Sequence, residues 1–126
     1  MTDRRSIHTK EFAHSQPIPA ASRIGNMLFS GLITGLDPAT KKIAATFDEQ
    51  CAHMFSHIKR IVEAGGGTVD NIAKITFWVN DRAQREGVNP YWVKMFPNEE
   101  ARPARTTLNR DLGGGKLIEC EIIAVI

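Results

Sequence analysis

Val69-Asp70-Asn71-Ile72-Ala73-Lys74-Ile75-Thr76-Phe77-Trp78-Val79-Asn80 is the strongest strand signal in the chain, and helical patterns lie on both sides of it. Its β-branched and aromatic residues suit a pleated, half-buried surface. Alternation puts Ala73, Ile75, Phe77 and Val79 on one face, and Lys74, Thr76, Trp78 and Asn80 on the other. A strand with one apolar face, flanked by amphipathic helices, predicts a sheet covered by helices on one side.

Upstream, from Phe47 to Ala64, the period becomes helical. Phe47, Cys51, Met54, Phe55, Ile58, Ile61 and Val62 recur at three- and four-residue steps and form one wide apolar stripe. Thr46 is the expected N-cap, with Asp48 and Glu49 favourably placed in the first turn. Gly65-Gly66-Gly67 ends the helix; because it follows a helix instead of preceding one, it reads as a C-cap and not a phosphate loop. His53 and His57 stand four residues apart with no third ligand in the pattern, so they are assigned to a solvated face and no metal is expected.

Downstream, Asn89 is the expected N-cap of a second helix, with Pro90 at its first position, Trp92, Met95 and Phe96 on its apolar side, and Pro97 stopping it. Next comes Arg102-Pro103-Ala104-Arg105-Thr106-Thr107. Pro103 biases the chain to an extended shape, so Arg105 shares a strand face with Thr107 and Asn109. A guanidinium projecting from a strand is able to grip a carboxylate through two parallel hydrogen bonds; from these six residues alone, an ordinary surface arginine is the competing reading. The closing segment Leu117 to Ile126 alternates too. Ile118, Cys120, Ile122, Ala124 and Ile126 make its apolar face, and Glu119 and Glu121 lie opposite with Leu117, Ile123 and Val125. The second sheet face therefore mixes Trp78, Ile123 and Val125 with Lys74, Glu119, Glu121 and Arg105. It is too apolar for water and too charged for a monomer's core, which predicts a subunit interface with a site inside it.

Towards the N-terminus, residues 1–6 are expected to be loose, with Ile7 to Phe12 a short edge strand; His14 to Ala21 holds two prolines and reads as an extended loop. Arg23 to Ser30 reads as a hairpin turning at Gly25-Asn26. Gly31 and Gly35 bracket Leu32-Ile33-Thr34, where a bulge or close backbone approach is expected, and Asp37 to Thr40 forms a turn. The 126 residues make a single domain, 1–126, in which 1–13 is a loose segment or edge strand. A net charge of +2 with scattered basic residues and one tyrosine argues against a nucleic-acid partner. Cys51 and Cys120 sit in apolar patterns and read as buried thiols. With no apolar leader and no membrane-length apolar run, the expected address is the cytoplasm.

In order and spacing, several of these segments resemble the Rid (RidA/YjgF) family of reactive-intermediate deaminases, also called L-PSP endoribonuclease-like proteins. The resemblance rests on Gly25-Asn26-Met27-Leu28-Phe29-Ser30-Gly31, Ile61-Val62-Glu63-Ala64-Gly65-Gly66, Asp70 to Thr76 and Asn89 to Trp92. Its most specific parts are Arg102 to Thr106 and Ile118-Glu119-Cys120-Glu121-Ile122-Ile123-Ala124. It implies an α+β, chorismate-mutase-like mixed β-sheet with two helices on one face, assembled as a barrel-like homotrimer with sites between subunits. It also implies cofactor-free hydrolysis of small enamine and imine acids of the 2-aminoacrylate type to a 2-keto acid and ammonia.

Carried over by position, Arg105 corresponds to the arginine that grips the substrate carboxylate and Glu119 to the glutamate that orients the attacking water. Ser30, Gly31, Asn89 and Thr107 fall at pocket-lining positions. Where the family commonly has Gly-Pro-Tyr, this chain reads Gln16-Pro17-Ile18, so Ile18 replaces a pocket tyrosine with an apolar wall. That departure leaves open an aminohydrolase dedicated to one pathway intermediate, such as an aminomuconate. A ligand-binding protein without turnover and an RNA-acting protein are the alternatives from other classes.

Overall fold

The alternation from Ile72 to Val79 becomes a strand of a mixed sheet, one place in from its edge. In the computed structural model, which describes residues 3–126, the elements follow as β1 (Arg5–Ile7), β2 (Ala21–Ile24), β3 (Met27–Ser30), β4 (Ile33–Thr34), β5 (Leu36–Asp37), β6 (Lys42–Ile43), α1 (Phe47–Ala64), β7 (Ile72–Val79), α2 (Asn89–Met95), β8 (Ala104–Asn109) and β9 (Ile118–Val125). The main sheet has the order β1-β2-β3-β9-β7-β8, with β4 also paired to β9, and β5 and β6 form a separate two-stranded ladder. β7 and β8 run parallel, joined through α2, while the other pairs are antiparallel. The fold is α+β, with both helices on one side of the sheet as the periodicity predicts.

Ile75, Phe77 and Val79 of β7, with Ile118, Cys120, Ile122 and Ala124 of β9, are buried against Met54, Ile58 and Ile61 of α1 and Trp92 of α2. Burying each large apolar side chain here contributes about 1.5–3 kcal/mol, which outweighs any strand or helix propensity. Thr46 caps α1 by accepting from Glu49 N at 3.2 Å. At its other end Gly66 has φ +95°, Gly67 N donates to Val62 O at 3.0 Å, and Arg23 Nη1 donates to the Gly65 carbonyl. The glycine run is a helix C-cap.

Gly35 takes the close approach anticipated between Gly31 and Gly35: a Cβ there would run into the backbone of Gln50 on α1. Gln50 is itself fully buried and ties three segments together. Its Nε2 donates to Ala44 O at 2.8 Å and to Gly115 O at 3.0 Å, and its Oε1 accepts from Leu117 N at 2.8 Å.

Several local expectations are corrected. The edge strand is Arg5–Ile7, not Ile7 to Phe12, because Phe12 N turns back to Thr9 Oγ1 at 3.2 Å and the Phe12 ring packs on His57 with centroids 4.8 Å apart. Val69–Asn71 is a 3₁₀ turn capped by Thr68, so the strand starts at Ile72. Ala73 is exposed, since a register shift between Ile72 and Lys74 lifts it off the apolar face. Asn89 is no N-cap: it is helical, with φ −58° and ψ −41°, and its side chain is used elsewhere. His57 is fully buried instead of solvated, with Nε2 2.7 Å from Leu36 O and Nδ1 3.3 Å from Arg60 Nη1.

Candidate active site

Arg105 leaves β8 in register with Ile75, and Thr107 is in register with Phe77. Paired residues on neighbouring strands project to one face, so Arg105 and Thr107 belong to the helix-covered face. The guanidinium carbon stands 5.5 Å from the Phe77 ring centroid and 5.3 Å from that of Trp92. Nη1 donates to Asn89 Oδ1 at 2.8 Å and Nη2 to Arg85 O at 3.3 Å. The other three N–H groups meet no acceptor among the described residues. Partial burial lowers the Arg105 pKa from its ordinary value, yet the group stays charged. The result is a cation aimed by two rings, an amide and a carbonyl, with donors to spare.

This overturns the placement of Arg105 on the mixed face beside Glu119. Glu119 is in register with Trp78 on one side and Thr34 on the other, which puts it on the open face. Its carboxylate is buried, with 2 % of the residue exposed; Oε1 accepts from Arg110 Nη2 at 2.5 Å, and Lys116 Nζ stands 4.0 Å from Oε2. Arg110 lies across Trp78, 5.3 Å from the ring centroid, to reach it. Neither Arg110 nor Lys116 was singled out from the sequence. The Gly113-Gly114-Gly115 turn between Arg110 and Lys116, with φ +66°, +60° and +77°, was the available sign that the chain doubles back there.

The remaining residues divide into two groups. Asn89 and Thr107 lie with Arg105, and Thr107 lines a depression of about 210 Å³ with Arg82, Arg85 and Asn109. Ser30 and Gly31 lie at the end of β3. Ser30 Oγ accepts from Ile122 N at 2.8 Å and Gly31 N donates to Ala20 O at 2.9 Å. Ile18, 50 % exposed, lines a separate groove of about 440 Å³ with Phe12, His14, Pro17 and Pro19. β3 and β8 are three strand spacings apart, roughly 14 Å. Within one chain the two groups do not meet.

The sequence model of the family described as Endoribonuclease L-PSP matches residues 7–126. The chain belongs to this family, the Rid proteins. Among L-PSP/Rid relatives, a RutC family protein of Pasteurella multocida is 33% identical over 127 residues, covering 94% of this chain and 95% of its own. The 2-iminobutanoate/2-iminopropanoate deaminase of Escherichia coli is 32% identical over 104 residues, covering 81% of each. The solved structure of the YjgF gene product of E. coli superposes with a TM-score of 0.86 at 30% identity, over 96% of this chain and 98% of that one. Among the described residues of this Rid protein, no helix is long and apolar enough to cross a membrane.

Proposed function

We propose that this Rid protein is a hydrolytic deaminase of small imine and enamine acids, acting in a cleft between copies of the chain. The Arg105 guanidinium carries the reading: a half-buried, pre-aimed fork with three open donors matches a carboxylate, the strongest handle such a substrate offers. The E. coli relative named for imine deamination supports the same chemistry.

In this mechanism Arg105 holds the carboxylate, and Asn89 fixes the fork's angle. Glu119 orients a water for attack on the C=N carbon. The water's oxygen bonds to carbon while one of its protons passes to nitrogen; the carbinolamine's hydroxyl proton then passes to nitrogen as C=O forms and the C–N bond breaks, releasing ammonia and leaving the 2-keto acid. An imine is already electrophilic, so positioning and one proton shuttle suffice. Arg110 Nη2 donates to Glu119 Oε1 and Lys116 Nζ stands 4.0 Å from Oε2, which fixes the direction in which the carboxylate faces a water.

Arg105 and Glu119 lie on opposite faces of their own sheet, so the site needs Glu119 with Ser30 and Gly31 from one copy and Arg105 with Asn89 and Thr107 from another. The open face suits such an assembly: Phe29, Leu108 and Val125 are 50 %, 46 % and 41 % exposed on it. A homotrimer is the proposed state.

Ammonia release from enzymatically generated 2-aminoacrylate, measured against the spontaneous rate, tests the reading. Acceleration is expected. Tight binding of small carboxylates with no acceleration favours a ligand-binding protein that keeps the cleft without turnover.

A further inference from the structure

Resting on that reading, and narrowing it, is the charge gathered beside Arg105. Thr107 follows Arg105 by two residues on the same face of β8, roughly 7 Å along the strand. There the depression is walled by Arg82 and Arg85 from the 3₁₀ segment Arg82–Val88, with Val79 and Asn109 beneath. That segment is pinned in place. Asp81 Oδ1 accepts from Ala83 N at 2.9 Å, and Arg85 O accepts from Arg105 itself. Asp81 is thus occupied as a cap, and Glu86, beside both arginines in the adjoining hollow, is the other carboxylate nearby. Neither Arg82 nor Arg85 forms an ion pair among the described residues.

Arg82 and Arg85 thus line a depression that adjoins the strand carrying Arg105, where a monoacid needs one arginine. A depression lined by two arginines carries a positive potential that favours an anion. We propose that the substrate is an imino acid with a second carboxylate on its side chain: Arg105 holds the first carboxylate, while Arg82 and Arg85 hold the second. Thr107 lines the depression, two residues along β8 from Arg105.

The test compares two imines of equal size, made in place by amino-acid oxidases: that of glutamate, with a charged side chain, and that of glutamine, with a neutral one. kcat/KM is expected to favour the charged imine by about tenfold or more, and added salt should narrow the gap. In an Arg82→Gln/Arg85→Gln double variant, which leaves the carbonyl that braces Arg105, the ratio should fall towards one. Equal turnover of both imines by the native protein, or a ratio unmoved by the double variant, overturns the assignment while leaving the deaminase reading intact. Calorimetry with 2-oxoglutarate against 2-oxopentanoate separates the two ideas from the other side. A dicarboxylate preference that the double variant loses supports the inference even without turnover, which would then count against the deaminase reading alone. Equal affinities overturn the inference.

Discussion

Arg105 is braced by two rings, an amide and a carbonyl, and a group so constrained forms a bidentate pair with little further loss of freedom. Arg105→Ala should lower kcat/KM for imine hydrolysis by the equivalent of about 2–5 kcal/mol, and Arg105→Lys should be badly impaired as well, since the charge survives and the fork does not. Arg102 is the control. Its Nε donates to Phe96 O at 2.8 Å, closing the end of α2, so Arg102→Ala should cost about 1 kcal/mol of stability and leave turnover nearly intact. Near-native activity in a well-folded Arg105→Ala protein would sink the carboxylate anchor. For Glu119, the amide of Glu119→Gln keeps the shape and loses the charge, so turnover should drop by roughly 10²–10⁴-fold with carboxylate binding retained. Glu121, in register with Thr76 on the same face, is the comparison: a damaging Glu121→Gln beside a silent Glu119→Gln reverses the assignment.

At the scale of elements, α1 is locked to the β4–β5 corner by close approach and by a buried ring. Gly35→Ala pushes a methyl into the backbone of Gln50, where neither partner is a flexible side-chain end, and should destabilise by about 1–3 kcal/mol in denaturant unfolding. An unchanged midpoint would mean that the helix and corner separate freely. His57 clamps the same corner through Leu36 O. Burial lowers its pKa below 6.5, with Arg60 and His53 adding to the effect and the Leu36 carbonyl and Glu11 opposing it. The unfolded chain therefore binds the proton more readily, and stability must fall as pH drops below about 6.5, until the lowered folded-state pKa is reached. Thermal unfolding of the native protein and of His57→Gln from pH 7.5 to 5 should show the steeper loss in the native chain. Parallel curves would assign the acid sensitivity to other groups.

For the whole molecule, the open face decides the outcome. Phe29, Trp78, Leu108, Ile123 and Val125 share it with Lys74, Thr76 and Glu121, an apolar field edged with charge. Light scattering at micromolar concentration should report a homo-oligomer of three chains, and Leu108→Asp with Val125→Asp should yield monomers that keep the fold and lose turnover. A native monomer with full activity would remove the need for a cleft between copies.

Local chemistry was enough to place most elements. The three-and-four spacing from Phe47 to Val62, the hydroxyl of Thr46 and the glycines after Ala64 fix α1, and alternation fixes β7 and β9, because these signals act over a few neighbouring residues. The candidate residues, too, were legible one by one, as residue types in a recognisable order. Their mutual placement was not. A strand's alternation gives two faces without saying which one the helices cover; the parallel register of β8 on β7 settled that, and it carried Arg105 to the side away from Glu119. Asn89 looked like a helix cap from its neighbours and became Arg105's partner through a contact 16 residues away in the chain. His57 fell on the polar side of a helical wheel, and Phe12 with the Leu36 carbonyl covered it from outside the helix. Periodicity encodes what a segment buries, whereas register and long-range packing choose its partners, and no local pattern contains that choice.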